Sequence, residues 1–117
     1  MKNRHSFGRR GESLAIGFLK KQGYTILETN FRFERAEIDL IAKDRGVLVF
    51  VEVKTRRKNT LGEPEDAVTG RKLDQIRKAA QGYLYKRDLA DAECRFDVVS
   101  IKQSGDETEI SHIRDAF

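Results

Sequence analysis

The 117-residue chain is poor in the residues that advertise covalent or metal cross-links: one cysteine, two histidines, one proline, one methionine and no tryptophan. Cys94 alone cannot form an intrachain disulfide. A free thiol agrees with a reducing compartment, and its ordinary use is as a small buried hydrophobe. His5 and His112 lie far apart with no cysteine beside them, which leaves out a zinc site of the usual spacing. No apolar stretch approaches the roughly 20 residues of a membrane span. The basic opening MKNRHSFGRRGE has no apolar core of signal-peptide type behind it. The expectation is a cytoplasmic protein with no membrane partner. Internal repeats, low-complexity tracts and a GxxxxGK[ST] phosphate loop are also missing.

Charge, in contrast, is abundant. Charged residues make up 36% of the chain and hydrophobic ones 38%, so a compact core must sit beneath a heavily ionic surface. The length suits one domain over residues 1–117, with residues 1–7 loose. A net charge of +4 and a pI near 9.3 suit a polyanionic partner, because lysine and arginine displace counterions from a phosphate backbone.

The stretch Ala36 to Arg57, AEIDLIAKDRGVLVFVEVKTRR, organises the rest. Apolar runs Ile38 to Ala42 and Val47 to Val53 flank Asp44-Arg45-Gly46, a hairpin turn signal. With Arg45-Gly46 as the loop, Asp44 falls opposite Val47, Asp39 opposite Glu52 and Glu37 opposite Lys54. Alternation then gives Glu37, Asp39 and Ile41 one face with Leu48, Phe50, Glu52 and Lys54. The other face, with Ile38, Leu40, Ala42, Val49, Val51 and Val53, is wholly apolar and suited to packing on a helix layer. Opposed carboxylates at Asp39 and Glu52 destabilise a sheet unless a bound cation, a shifted pKa or a different register compensates. Mg²⁺ takes hard oxygen ligands, needs only one or two carboxylates, and keeps water and phosphate as its other ligands. Lys54 on the same face is placed to orient a water or meet a phosphate. Two readings stand: a metal-dependent nuclease constellation, or a solvated strand face laced by cross-strand ion pairs.

Around the hairpin, Gly8 to Gln22 reads as a helix with Leu14, Ala15, Phe18 and Leu19 inward and Gly23 at its stop. Glu12 lies at the border of that stripe, either serving the helix dipole or leaning over the acidic face as a third carboxylate. Tyr24 to Phe33 reads as a strand with a break near Asn30, and Thr55 to Gly62 as an exposed loop. The loop's Arg56, Arg57 and Lys58 would lie where a nucleic-acid backbone passes, or form a solvated charge run. Pro64-Glu65-Asp66 is a helix-start signal. From Arg71 to Lys86 the residues Leu73, Ile76, Ala80, Tyr83 and Leu84 form an apolar stripe with Ala79 at its edge, and Lys72 stands near the helix start. Cys94 to Lys102 and Glu107 to Ile113 are strands about a turn at Ser104-Gly105-Asp106, and Asp97 reads as a buried structural acid. The order is αβββαββ, and a mixed β-sheet flanked by helices is the economical α/β fold.

Through GRRGESLA, Gly23-Tyr24, EIDLIA, VFVEVKTR, GEPEDAV, Lys72 and RFDVV, the chain resembles the YraN-type bacterial proteins. That family is regarded as endonucleases of the PD-(D/E)XK superfamily, similar to archaeal Holliday-junction resolvases. The resemblance implies a restriction-endonuclease-like sheet and a Mg²⁺- or Mn²⁺-dependent endonuclease acting on DNA, including branched or junction DNA. It casts Asp39 and Glu52 as metal carboxylates, Lys54 as the lysine of the ExK element, and Glu12 as the acid on the first helix. Glu37, Arg56 and Lys72 become secondary site residues. Ala36 departs from the pattern, standing where the family usually has glycine before EID; a glycine there would permit a positive φ or a close backbone approach. Symmetric cutting of a junction implies a homodimer. The alternative is a non-catalytic nucleic-acid-binding module that retains the fold.

Overall fold

The computed structural model describes residues 3–57 and 70–117. Its elements are α1 (Asn3–Lys21), β1 (Thr25–Phe33), β2 (Ala36–Asp44), β3 (Val47–Arg57), α2 (Gly70–Lys86), β4 (Cys94–Ser104) and β5 (Glu107–Ile113). The strands form one mixed sheet in the order β1-β2-β3-β4-β5, antiparallel throughout except for the parallel pair β3–β4, which the α2 connection joins. The two helices lie on opposite faces. Ala15 and Leu19 of α1 bury themselves on Leu40, Ala42, Val49, Val51, Val99 and Ile101, whereas Ile76, Ala79, Ala80 and Tyr83 of α2 cover Ile41, Leu48 and Phe50. Ala79 is thus fully buried at the centre of the α2 stripe rather than at its edge. Among the described residues no helix is long and apolar enough to cross a membrane.

Local chemistry sets the joints. The α1 helix ends as the sequence predicts, with Gly23 at φ 98 and hydrogen bonds from Gly23 N–H to Lys20 C=O and from Tyr24 N–H to Leu19 C=O, both 3.0 Å. This closes the last turn and delivers Tyr24 into the core. The β2–β3 hairpin turns on Arg45 and Gly46, both at positive φ (52 and 89), a type I′ combination whose twist matches the strands. Its register runs from Asp44↔Val47 to Leu40↔Val51, as the turn predicts.

Beyond Leu40↔Val51 the expected register fails. No ladder pair joins Asp39 to Glu52 or Glu37 to Lys54; instead the Val53 N–H donates to the Asp39 carboxylate at 2.8 Å, and Glu37 pairs with Arg32 of β1 at 3.6 Å. A side chain here takes the main-chain donor that a ladder would use, and the strands part. The faces switch at the same place. Ile38 joins the α2 cluster while Leu40 joins the α1 cluster, so Ile38 does not share Leu40's face as strict alternation predicts. Opposite the switch, Thr29↔Leu40 and Phe31↔Ile38 are partners across the β1–β2 pair and Asn30, between them, has φ 53. A left-handed residue in a strand reverses the local alternation.

Two further expectations are corrected. Residues 3–7, read as loose, belong to α1. Thr55, Arg56 and Arg57, read as the start of a loop, continue β3 because β4 is long enough to pair with them, at Thr55↔Ile101, Arg56↔Lys102 and Arg57↔Gln103. Ala36 is buried in the α2 cluster and is not among the residues of positive φ, so its position makes no backbone demand for glycine. Lys58, the rest of the predicted loop and the Pro64 helix start lie outside the described residues.

Candidate metal and nucleic-acid site

The parting of β2 and β3 creates the site. Asp39 stands at the switch, Glu52 and Lys54 follow on β3, α1 brings Glu12 from one side and α2 brings Lys72 from the other. Gly11 permits the α1 approach: a Cβ there would stand 2.0 Å from Thr55 Cγ2, so only a residue without one lets the helix lie this close to β3 beside Glu12.

Glu52 is the most enclosed of these groups, its side chain 8% exposed. Its Oε2 is 2.7 Å from Lys72 Nζ and 3.7 Å from Lys54 Nζ, two ammonium groups from different elements on one buried carboxylate. For Lys72, burial works against the charged form, but Glu52's hydrogen bond and charge outweigh it and the pKa moves up. Asp39 and Lys72 act on each other through their charges, but among the described residues no ammonium forms an ion pair with Asp39. Its burial, followed by the charge on Glu52, pushes its carboxyl up to about 7; the Val53 N–H opposes the rise, and Glu12 and Glu37 add to it. Of the three ways of relieving facing carboxylates, the folded chain by itself uses two, a broken register and a shifted proton affinity.

The predicted residues are therefore distributed as follows. Asp39, Glu52, Lys54 and Lys72 meet directly or through one shared neighbour. Glu12 and Glu37 lie near enough to act on Asp39 electrostatically, and Glu37 is held by Arg32. Arg56 follows Lys54 by two residues and so shares its face of β3. Arg57 closes β3, and Lys58 lies outside the described residues.

Sequence reasoning missed Asn30 as a site residue. Its side-chain amide donates to Glu12 Oε1 at 3.1 Å, so the residue that reverses the strand also tethers the acid on the helix. The available signal was an asparagine in a β-forming run, since asparagine tolerates the left-handed region better than its neighbours. Asn30→Ala should destabilise the protein by about 1 kcal/mol more than Asn30→Gly in denaturant titrations, because alanine strains at positive φ and glycine does not. Equal losses would show that the backbone conformation at Asn30 is not what the residue supplies.

Among the described residues no three His, Cys, Asp or Glu side chains form a group able to hold a metal ion by themselves. The donor set still suits one kind of ion. Asp39, half-buried, and Glu52, buried, offer hard oxygens whose charges repel, and Mg²⁺ needs only one or two carboxylates when water and phosphate complete its shell. A soft metal that wants thiolate or imidazole has no ligands here.

A family model described as "Uncharacterised protein family UPF0102" matches residues 11–101, which span all the site residues described above. A UPF0102 protein of Syntrophotalea carbinolica is 46% identical over 97% of this chain and 93% of its own length. One from Flavobacterium psychrophilum is 44% identical over 100% and 98%, and one from Geotalea uraniireducens 50% identical over 96% and 89%.

Proposed function

This chain belongs to the uncharacterised protein family UPF0102, and from the site it carries we propose that it is a divalent-metal-dependent endonuclease hydrolysing phosphodiester bonds of DNA, branched or junction DNA included. The observation that carries the reading is Asp39. A half-buried carboxyl is set beside a buried carboxylate on the next strand, and its pKa is raised to about 7 by desolvation and by that neighbour's charge. A structural acid is normally given a cation at ion-pair distance; this one faces three other acids with Lys72 acting on it only through its charge, an arrangement that a bound cation relieves.

Asp39 and Glu52 hold the metal. Mg²⁺ or Mn²⁺ there supplies Lewis-acid polarisation of the phosphodiester and a more acidic water. Lys54, at the edge of the carboxylate pair, orients the attacking water and offsets charge developing on the phosphate. Glu12, held by Asn30, completes the acidic cluster. Arg56, Arg57, Lys58 and Lys72 meet backbone phosphates, a sequence-independent contact that fits an enzyme reading DNA shape. Two copies related by a two-fold axis would cut a four-way junction symmetrically.

One observation favours the second reading, a nucleic-acid-binding module without catalysis: no group of three metal-ligating side chains forms among the described residues. Incubation of the protein with Mg²⁺ or Mn²⁺ and linear, nicked and four-way-junction DNA separates the two. Chelator-sensitive products are expected, most on the junction. Salt-sensitive binding to the same DNAs with no product under either metal would establish the binding module.

A further inference from the structure

We propose that Lys72 is a built-in counter-cation of this site: its ammonium is bonded to the Glu52 carboxylate that a divalent metal would share, so metal entry displaces Lys72 and frees it for a nucleic-acid phosphate. The inference rests on the metal-site reading above and deepens it into a statement about how the site is loaded.

The two partners are unlike in mobility. Glu52 sits within β3, paired with Val98 of β4 at its own position, and its carboxylate is almost wholly enclosed. Lys72 is two residues into α2, on a four-carbon stem whose side chain is 43% exposed. The carboxylate is enclosed within the sheet while the ammonium ends a flexible, partly exposed stem.

The two lysines at Glu52 also differ. Lys72 Nζ is 2.7 Å from Oε2, hydrogen-bonding distance, and Lys54 Nζ is 3.7 Å from the same oxygen. An enclosed carboxylate facing another acid is costly without a cation, and Lys72 meets that need within the chain. An ammonium and a divalent metal drawing on the same small carboxylate repel each other at close range. Metal binding therefore works against the Lys72 contact by charge repulsion at a shared carboxylate, which weakens the apparent metal affinity of the free protein. In a complex with DNA the released ammonium gains a phosphate partner, so metal and nucleic acid favour each other's binding.

This role predicts the opposite sign from a simple phosphate contact. Calorimetric titration of Mn²⁺ into DNA-free protein should show Lys72→Met binding about 10-fold more tightly than wild type, about 1.4 kcal/mol. Lys86→Met, at the far end of the same helix, should change the affinity less than about 2-fold by long-range charge alone. In DNA-binding titrations with Mn²⁺ present, Lys72→Met should be weaker than wild type. Lys72→Ala serves as a second charge-removing variant if the methionine variant folds poorly, and the rise in thermal midpoint on adding Mn²⁺ should exceed that of wild type for either. Unchanged or weaker Mn²⁺ binding by both Lys72 variants, with wild type binding normally, would overturn the displacement role and leave the metal site standing. An equal gain in Lys86→Met would overturn it in favour of general charge. Absence of Mn²⁺ binding in wild type and variants alike would overturn the metal site, and this inference with it.

Discussion

Asp39→Asn should cost the protein its metal and its cleavage while making the metal-free chain more stable above neutral pH. Asparagine keeps the shape and an oxygen to accept the Val53 N–H, so the parting of β2 and β3 is preserved. What it removes is the charge facing Glu52. Mn²⁺ affinity should fall by at least about 10-fold, since even outer-shell changes at metal sites cost that much. Cleavage should fall by about 100-fold or more, because metal stabilisation of a transition state is worth several kcal/mol.

The stability half of this prediction follows from linkage. The folded-state pKa of Asp39 is about 7, above its ordinary value of 3.8. A raised acid pKa means that the folded chain binds the proton more tightly than the unfolded one. Its contribution is then fully present below about pH 4 and is lost as pH rises through about 7. Above that, the ionised group opposes folding by an amount on the order of 2 kcal/mol once relaxation is allowed for. In a chelator, Asp39→Asn should therefore melt roughly 10 °C above wild type at pH 9 and close to it at pH 5, where Asp39 is itself protonated. Saturating Mn²⁺ should reverse the order at pH 9, because only wild type binds it well, and wild-type affinity should strengthen with pH through 7 as the ligand loses its proton. Parallel melting curves for the two proteins from pH 5 to 9 would mean that Asp39 carries no unrelieved charge.

The sequence shows what short-range rules govern. Arg45-Gly46 fixes the hairpin loop, and with it every pair from Asp44↔Val47 to Leu40↔Val51. Gly23 fixes the end of α1, and the 3.6-residue stripe in α2 fixes which side of that helix is buried. The candidate site lies where those rules stop. Asp39 reaches for the Val53 N–H instead of pairing across a ladder where Asn30, on a different strand, lies opposite it at positive φ, a contact between strands that no local pattern reports. Lys72 is separated from Glu52 by residues 58–69, and nothing in its local sequence distinguishes it from the other basic residues of α2. Arg56 and Arg57 look like loop in isolation and become strand because β4 offers them main-chain partners. Residue types could thus nominate Asp39, Glu52 and Lys54, while the contacts that set their charge states arise only from the tertiary fold.

Asp97→Ala should be among the most destabilising single changes in the chain, by about 3 to 5 kcal/mol. The sequence shows an acid inside the apolar run RFDVV, and the fold explains how it can be there. Asp97 is 0% exposed, yet Arg95 Nε donates to its Oδ1 at 3.0 Å, the Asp115 N–H donates to the same oxygen at 3.0 Å, Tyr24 OH donates to Oδ2 at 3.3 Å, and His112 Nε2 lies 2.8 Å from Oδ2. Arg95 also reaches Asp44 at 3.1 Å, so one buried charge joins the end of α1, the β2–β3 turn, β4, β5 and the residues after it. Burial pushes the Asp97 carboxyl up, but these partners outweigh it and hold the pKa below 3.8. By the same linkage with the opposite sign, its stabilisation is present above about pH 4 and is lost as pH falls through the folded value. Alanine leaves a mostly buried guanidinium and the Asp115 N–H without their partner, whereas Asp97→Asn keeps the volume and part of the hydrogen bonding and should cost less, about 1 to 3 kcal/mol. Urea titrations at pH 7 and pH 3 test this: the gap between wild type and Asp97→Ala should be wide at pH 7 and narrower at pH 3. A loss under 1 kcal/mol at pH 7 would mean that Arg95 and Asp44 hold this end of the sheet without it. Asp97 pairs with Val51, next to Glu52, but its network lies on the α1 face of the sheet while Glu52 meets Lys72 of α2, so Asp97→Asn should leave Mn²⁺ affinity unchanged in the folded fraction, which separates the acid that stabilises the fold from the acid that the fold destabilises.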